Sequence, residues 1–129
     1  MQLMDIIENS ELEPENMTVE ALFHVVLHEL GFSFKLRGTQ FLEDFLSLVY
    51  QRYEHPCDIE SFEVYKDVAI KHNTTVASVS RQILYSISRT WDKGNTHLQN
   101  ELFASTIDPE KGKPTVHEFT GLMMELVKL

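Results

Sequence analysis

The sequence predicts an all-α fold of about six helices containing a helix-turn-helix, and three observations carry that prediction. Apolar residues recur every three to four positions in successive stretches, the spacing that gathers them on one face of a helix. Alternating β-branched and polar residues, the mark of half-buried strands, are few. A polar turn leading into a long helix forms the one clearly basic segment of an acidic chain, where a helix-turn-helix places its reading helix.

Taken in order, the first 16 residues carry Asp5, Glu8, Glu11, Glu13 and Glu15, no basic residue, and Pro14. They read as a mobile acidic leader, residues 1–16, before a domain at 17–129. Thr18 is the expected N-cap of a first helix, with Leu22, Val25, Val26 and Leu30 on one face and Gly31 as its stop. A second is expected at about 39–53 on Phe41, Leu42, Phe45, Leu48 and Val49, ending before His55-Pro56-Cys57. A third spans about 59–72 with Phe62, Val68 and Ala69 apolar, and Asn73 past its end. The fourth, about 76–93, repeats Val79, Ile83, Ile87 and Trp91 at steps of four, flanked by Val76, Ser86 and Thr90, with Thr74 or Thr75 as N-cap. A short fifth is expected at 100–105, a loop at 108–114, and a last helix at 115–128 on Val116, Phe119, Leu122, Met123, Leu126 and Val127.

With 129 residues, 43% hydrophobic and 24% charged, the chain fits one core. Cys57 is the lone cysteine, which excludes an internal disulfide and a paired-cysteine zinc ribbon. No secretion signal and no run near the ~20 apolar residues of a membrane span is present, so a soluble cytoplasmic protein is expected, with no membrane partner. The net charge of −9 opposes indiscriminate nucleic-acid binding by the whole surface. It leaves room for a local basic face: between residues 71 and 95, Lys71, Arg81, Arg89 and Lys93 stand against Asp92 alone.

Opposite the buried stripe of the fourth helix lie Ala77, Ser78, Arg81, Tyr85, Ser88 and Asp92, flanked by Gln82, Leu84 and Arg89. Duplex DNA is the partner this face suits. Arg81 can bridge guanine O6 and N7 and Gln82 can pair with adenine, while Ser78 and Tyr85 complete the base-reading set. Lys71, His72, Thr74 and Thr75 fall where turn and helix start meet phosphates, and Arg89, Lys93, Lys111 and Lys113 extend the backbone contacts. A solvated helix face is the alternative reading of the same pattern.

From about Met17 to Leu129 the chain also resembles a known family, the C-terminal effector domains of the sporulation-initiating response regulator called stage-zero sporulation protein A. The shared pieces are His28-Glu29 and Gly31 after an apolar helix, Lys35 to Gly38 (KLRG), and Tyr65 to Lys71 (YKDVAIK) leading into Asn73-Thr74-Thr75. Trp91 with Gly94-Asn95, and Lys111 to Thr115 (KGKPT) before Glu118-Phe119, continue the match in family order. The resemblance implies an all-helical domain whose third and fourth helices form a helix-turn-helix on promoter boxes. It also implies contacts with RNA polymerase sigma subunits and, through the C-terminal region, with a neighbouring copy on DNA.

The reading helix departs from the family at four positions. The family carries arginine at the place of Ser78, glutamate at Ser80, arginine at Leu84 and histidine at Tyr85, and only the arginine at Arg81 is kept. Each lost bidentate base contact removes roughly 1–3 kcal/mol of discrimination, so the family's promoter box is not the expected target. The leader is too short for the family's phosphoacceptor receiver domain, so input by aspartate phosphorylation is not expected of this chain.

Other constellations are weaker. His24 and His28 stand at i and i+4, a spacing that can seat a metal, but without a third ligand they read as one core and one surface histidine. Glu60, Glu63 and Asp67 read as a solvated face rather than a phosphate mimic. Cys57 beside His55 lacks the base and orienting group of a nucleophile, and no glycine-rich phosphate loop occurs, so neither catalysis nor a cofactor is expected. Two functions remain: a transcription regulator that reads duplex DNA, or an interaction module that kept the fold, lost DNA reading, and pairs with a related regulator or a sigma factor.

Overall fold

In the computed structural model, residues 5, 6, 8, 15, 17–103 and 112–128 are described. They form α1 (Val19–Leu30), α2 (Arg37–Arg52), a 3-10 turn (Pro56–Asp58), α3 (Ser61–Lys71), α4 (Val76–Lys93), α5 (Thr96–Phe103) and α6 (Val116–Lys128), with no strand among them. The fold is all-α. Most of the 1–16 leader lies outside the described residues; within it, Ile6 is helical and buried in the core.

Helix ends follow from capping chemistry. Thr18 Oγ1 accepts the Ala21 N–H at 3.1 Å and opens α1. Gly31, at φ +100°, closes it in a left-handed turn: the Gly31 N–H donates to His28 O and the Phe32 N–H to Leu27 O. The end of α3 repeats this device without glycine. Asn73 takes φ +52°, and the N–H groups of Asn73 and Thr74 donate to Ile70 O and Ala69 O. Asparagine is among the few side chains that tolerate this conformation. Thr75 then caps α4 by accepting the Ser78 N–H at 3.1 Å, so four residues reverse the chain between α3 and α4. Before α6, Thr115 and Glu118 form a reciprocal capping box, each side chain accepting the other's backbone N–H at 3.1 and 2.9 Å.

Several boundaries and faces differ from expectation. α5 starts at Thr96, not at 100, because Asn95 is its cap as well as a stop signal for α4: its Oδ1 accepts the Leu98 N–H at 3.1 Å. α3 starts at Ser61 after the 3-10 turn, and its buried stripe is Val64, Val68 and Ala69, which leaves Phe62 60% exposed. In α1 the buried residues are Phe23, Val26, Leu27 and Leu30; Leu22 and Val25 only flank the core. That rotation puts both His24 and His28 on the surface, where the His24 ring stacks on Phe34 and meets Glu43 at 3.1 Å. The expectation of one core histidine is corrected accordingly.

The core is continuous across all six helices. At one end Phe103 and Phe119 stack at 5.5 Å, with Trp91 edge-on to both. Two glycine contacts set how α4 sits. Gly38, in the first turn of α2, lies so close that a Cβ there would be 2.0 Å from Gln82 O. At the far end, a Cβ on Gly31 would be 2.6 Å from Gly94 Cα, and the Asn95 N–H donates to Leu30 O at 3.0 Å. Between them, the buried hydroxyls of Thr39 and Ser86 share a 2.7 Å hydrogen bond. α4 is therefore gripped along its inner face by backbone-close contacts, which fixes the direction of its outer face.

Candidate nucleic-acid interface

The inner face of α4 buries Val79, Ile83, Ser86, Ile87 and Thr90. What remains outward is set by the helical period. Ala77, Arg81, Leu84, Tyr85, Asp92 and Lys93 are exposed, with Leu84 at 50% and Tyr85 at 59%; Ser78, Gln82, Ser88 and Arg89 are half-buried. The face expected from the pattern is the face observed, and Leu84 is part of it.

Hydrogen bonds divide the candidates into engaged and unengaged groups. The Gln82 amide donates to Ser78 Oγ at 2.7 Å, so these two neighbours occupy each other and must part, or act as one unit, to meet a base. Thr75 Oγ1 uses a lone pair for the cap, but its hydroxyl proton still has a phosphate oxygen as possible acceptor. Lys71 Nζ lies 2.9 Å from Asp44 Oδ1, and His72 Nε2 lies 2.5 Å from Asp44 Oδ2, so the cationic start of the turn leans on a carboxylate of α2. Lys113 Nζ meets Asp92 Oδ1 at 3.0 Å. Lys111 lies outside the described residues. Thr74 is half-buried in the turn.

Arg81, Arg89 and Lys93 differ from these: none has a carboxylate partner among the described residues. They follow one another at steps of eight and four along α4, about 12 and 6 Å apart in rise. The Gly38–Gln82 contact holds the start of α2, where Lys35 and Arg37 are exposed, against the middle of α4. Sequence reasoning treated these two cations only as part of a family string. The available signal was the glycine itself, whose missing side chain marks a close helix crossing. Asp44 was also missed as a partner, since it sits 27 residues from Lys71.

Of the weaker constellations, Asp67 pairs with Arg52 and Glu63 with Lys66, and Glu60 is exposed. No helix among the described residues is long and apolar enough to cross a membrane.

The arrangement is that of a helix-turn-helix: α3 and a capped four-residue turn set α4 with Ala77, Arg81, Leu84 and Tyr85 exposed on its outer side. The family model described as sporulation initiation factor Spo0A C terminal matches residues 23–127, which takes in α2 to α5 whole, α1 from Phe23 onward and α6 as far as Val127. On that match the chain belongs to this family of sporulation-related DNA-binding effector domains.

Proposed function

We propose that the chain is a transcription regulator that reads duplex DNA with the outer face of α4. The observation that carries the reading is Arg81, exposed, unpaired among the described residues, and presented by a helix whose inner face is locked. A guanidinium so placed can make the bidentate guanine contact, worth roughly 1–3 kcal/mol of base discrimination. Tyr85 follows one turn later, and the Ser78–Gln82 pair lies beside it. Backbone contacts come from Thr75, Arg89 and Lys93, with Lys71, His72 and Lys113 available once their carboxylates yield. Ser78, Leu84 and Tyr85 in place of the family's cations and histidine imply a different target site. As a DNA reader the protein works in the cytoplasm, and its further partners would be a second copy, met through α6, or a sigma factor.

The test is fluorescence anisotropy on a pool of short duplexes at two salt concentrations. Arg81→Ala is expected to relax sequence preference, whereas Lys93→Ala weakens all sequences alike. Identical binding by both variants and the parent would sink the assignment.

A second reading has its own observation. Phe62, Ile70, Leu84 and Tyr85 are 50–76% exposed on α3 and α4, and the chain carries −9 net charge. This suits an interaction module that pairs with a related regulator or a sigma factor. Absence of duplex binding at low salt, together with co-elution with such a partner that Leu84→Glu abolishes, would establish it over the first.

A further inference from the structure

Two clefts of the described surface differ in sign. One is lined by Glu20, Asp44, Ser47, Leu48, Gln51 and Lys71; it holds two carboxylates, and its lysine is already paired with Asp44. The other, of about 160 Å³, lies where the connection from α1 to α2 meets the second half of α4, between Gly31, Ser33, Leu36, Arg89, Thr90 and Lys93. Its only charged groups are two cations, and neither has a carboxylate partner among the described residues.

We infer that this cationic cleft is a phosphate seat, occupied in the complex by a phosphodiester of the bound duplex; the choice of occupant rests on α4 being the DNA-reading helix. A concave wall with cations and no anions concentrates positive potential. Arg89 supplies a planar fork that matches two phosphate oxygens, Lys93 a point charge, and Ser33 a hydroxyl donor. The volume is roughly ten times the ~15 Å³ that one water needs, room enough for a tetrahedral oxyanion. Leu36 on the rim is the N-cap residue of α2, which has no side-chain cap and no acidic residue in its first turn, so its positive end adds to the field.

Position supports the duplex as the source. Arg89 and Lys93 are about 12 and 18 Å along α4 from Arg81, and the major groove is about 12 Å wide. With Arg81 on base edges, the strand bordering the groove passes the cleft. The Gly31–Gly94 approach holds the cleft's two walls together, so the seat is formed before binding.

The test uses the Arg89→Gln/Lys93→Gln variant of the whole chain, its fold checked by circular dichroism. Duplex affinity should fall by the same factor on every sequence, with sequence preference kept. The slope of log affinity against log salt should become shallower by about 0.9, the value of one phosphate contact. In parallel, inorganic phosphate at fixed ionic strength should raise the melting temperature of the parent and not of the variant. If phosphate stabilises through these residues but the salt slope is unchanged, the duplex is overturned as occupant in favour of a free oxyanion. If the parent binds no duplex yet responds to phosphate, the seat stands and the reading of α4 falls. An unchanged slope with no phosphate effect overturns the seat.

Discussion

Replacing Gly38 with alanine tests whether α4 is positioned by backbone contact with α2. The added Cβ would stand 2.0 Å from Gln82 O and 2.7 Å from Gln82 C, where ordinary contact starts near 3.4 Å, so the two helices must separate by more than about 1 Å. Forcing extra atoms into a packed crossing costs roughly 1–3 kcal/mol. Alanine returns about 1 kcal/mol through helix propensity, which leaves a net loss of about 0–2 kcal/mol. For a domain of this size that lowers the melting temperature by up to about 8 °C, measurable by circular dichroism. The control is Gly121→Ala in α6, where the new Cβ would meet only Pro56 at 3.8 Å and the propensity gain should stand alone. A Gly38→Ala protein as stable as the Gly121→Ala protein would refute the claim that the crossing is closed to a methyl group.

Three other perturbations follow from the same contacts. Ser86→Ala or Thr39→Val leaves a buried hydroxyl alone and should cost about 1–3 kcal/mol, while the double variant costs less than the sum; additive urea-denaturation energies would remove the pair as a coupled unit. Tyr65 stacks on Phe45 at 5.0 Å, and burial raises its phenol above the ordinary value, so its contribution is complete below about pH 10, the unfolded value, and is lost as pH climbs through the folded one. Denaturation between pH 9 and 11 should therefore show a fall in stability that is shallower in Tyr65→Phe. Asp44→Asn releases Lys71 beside the turn and should tighten duplex binding with a salt slope steeper by about 0.9, if that lysine reaches a phosphate; an unchanged slope would show that it does not.

The chain alone specifies the helices whose signals are local. α1 and α4 follow the caps Thr18 and Thr75, and α1 ends in the left-handed turn at Gly31, because capping hydroxyls and such turns act over three to five residues, a range that a linear reading sees. It determined the outer face of α4 for the same reason, since one period decides which side chains share a side. The family, too, was legible in short strings at fixed spacing, and the match over residues 23–127 bears it out.

What those side chains are free to do depends on packing between distant segments. Lys71 and His72 are drawn to Asp44 on α2, Gln82 donates to Ser78, and Arg89 and Lys93 open onto a cleft whose far wall comes from the α1–α2 connection. Phe62, one of the apolar residues of the expected third helix, is exposed, because Val64, Val68 and Ala69 take the inward face. Charge pairing and burial depend on which segments meet across tens of residues of chain. Helical period and capping carry no information about that meeting, and here it is set by two glycine crossings that bring backbone against backbone.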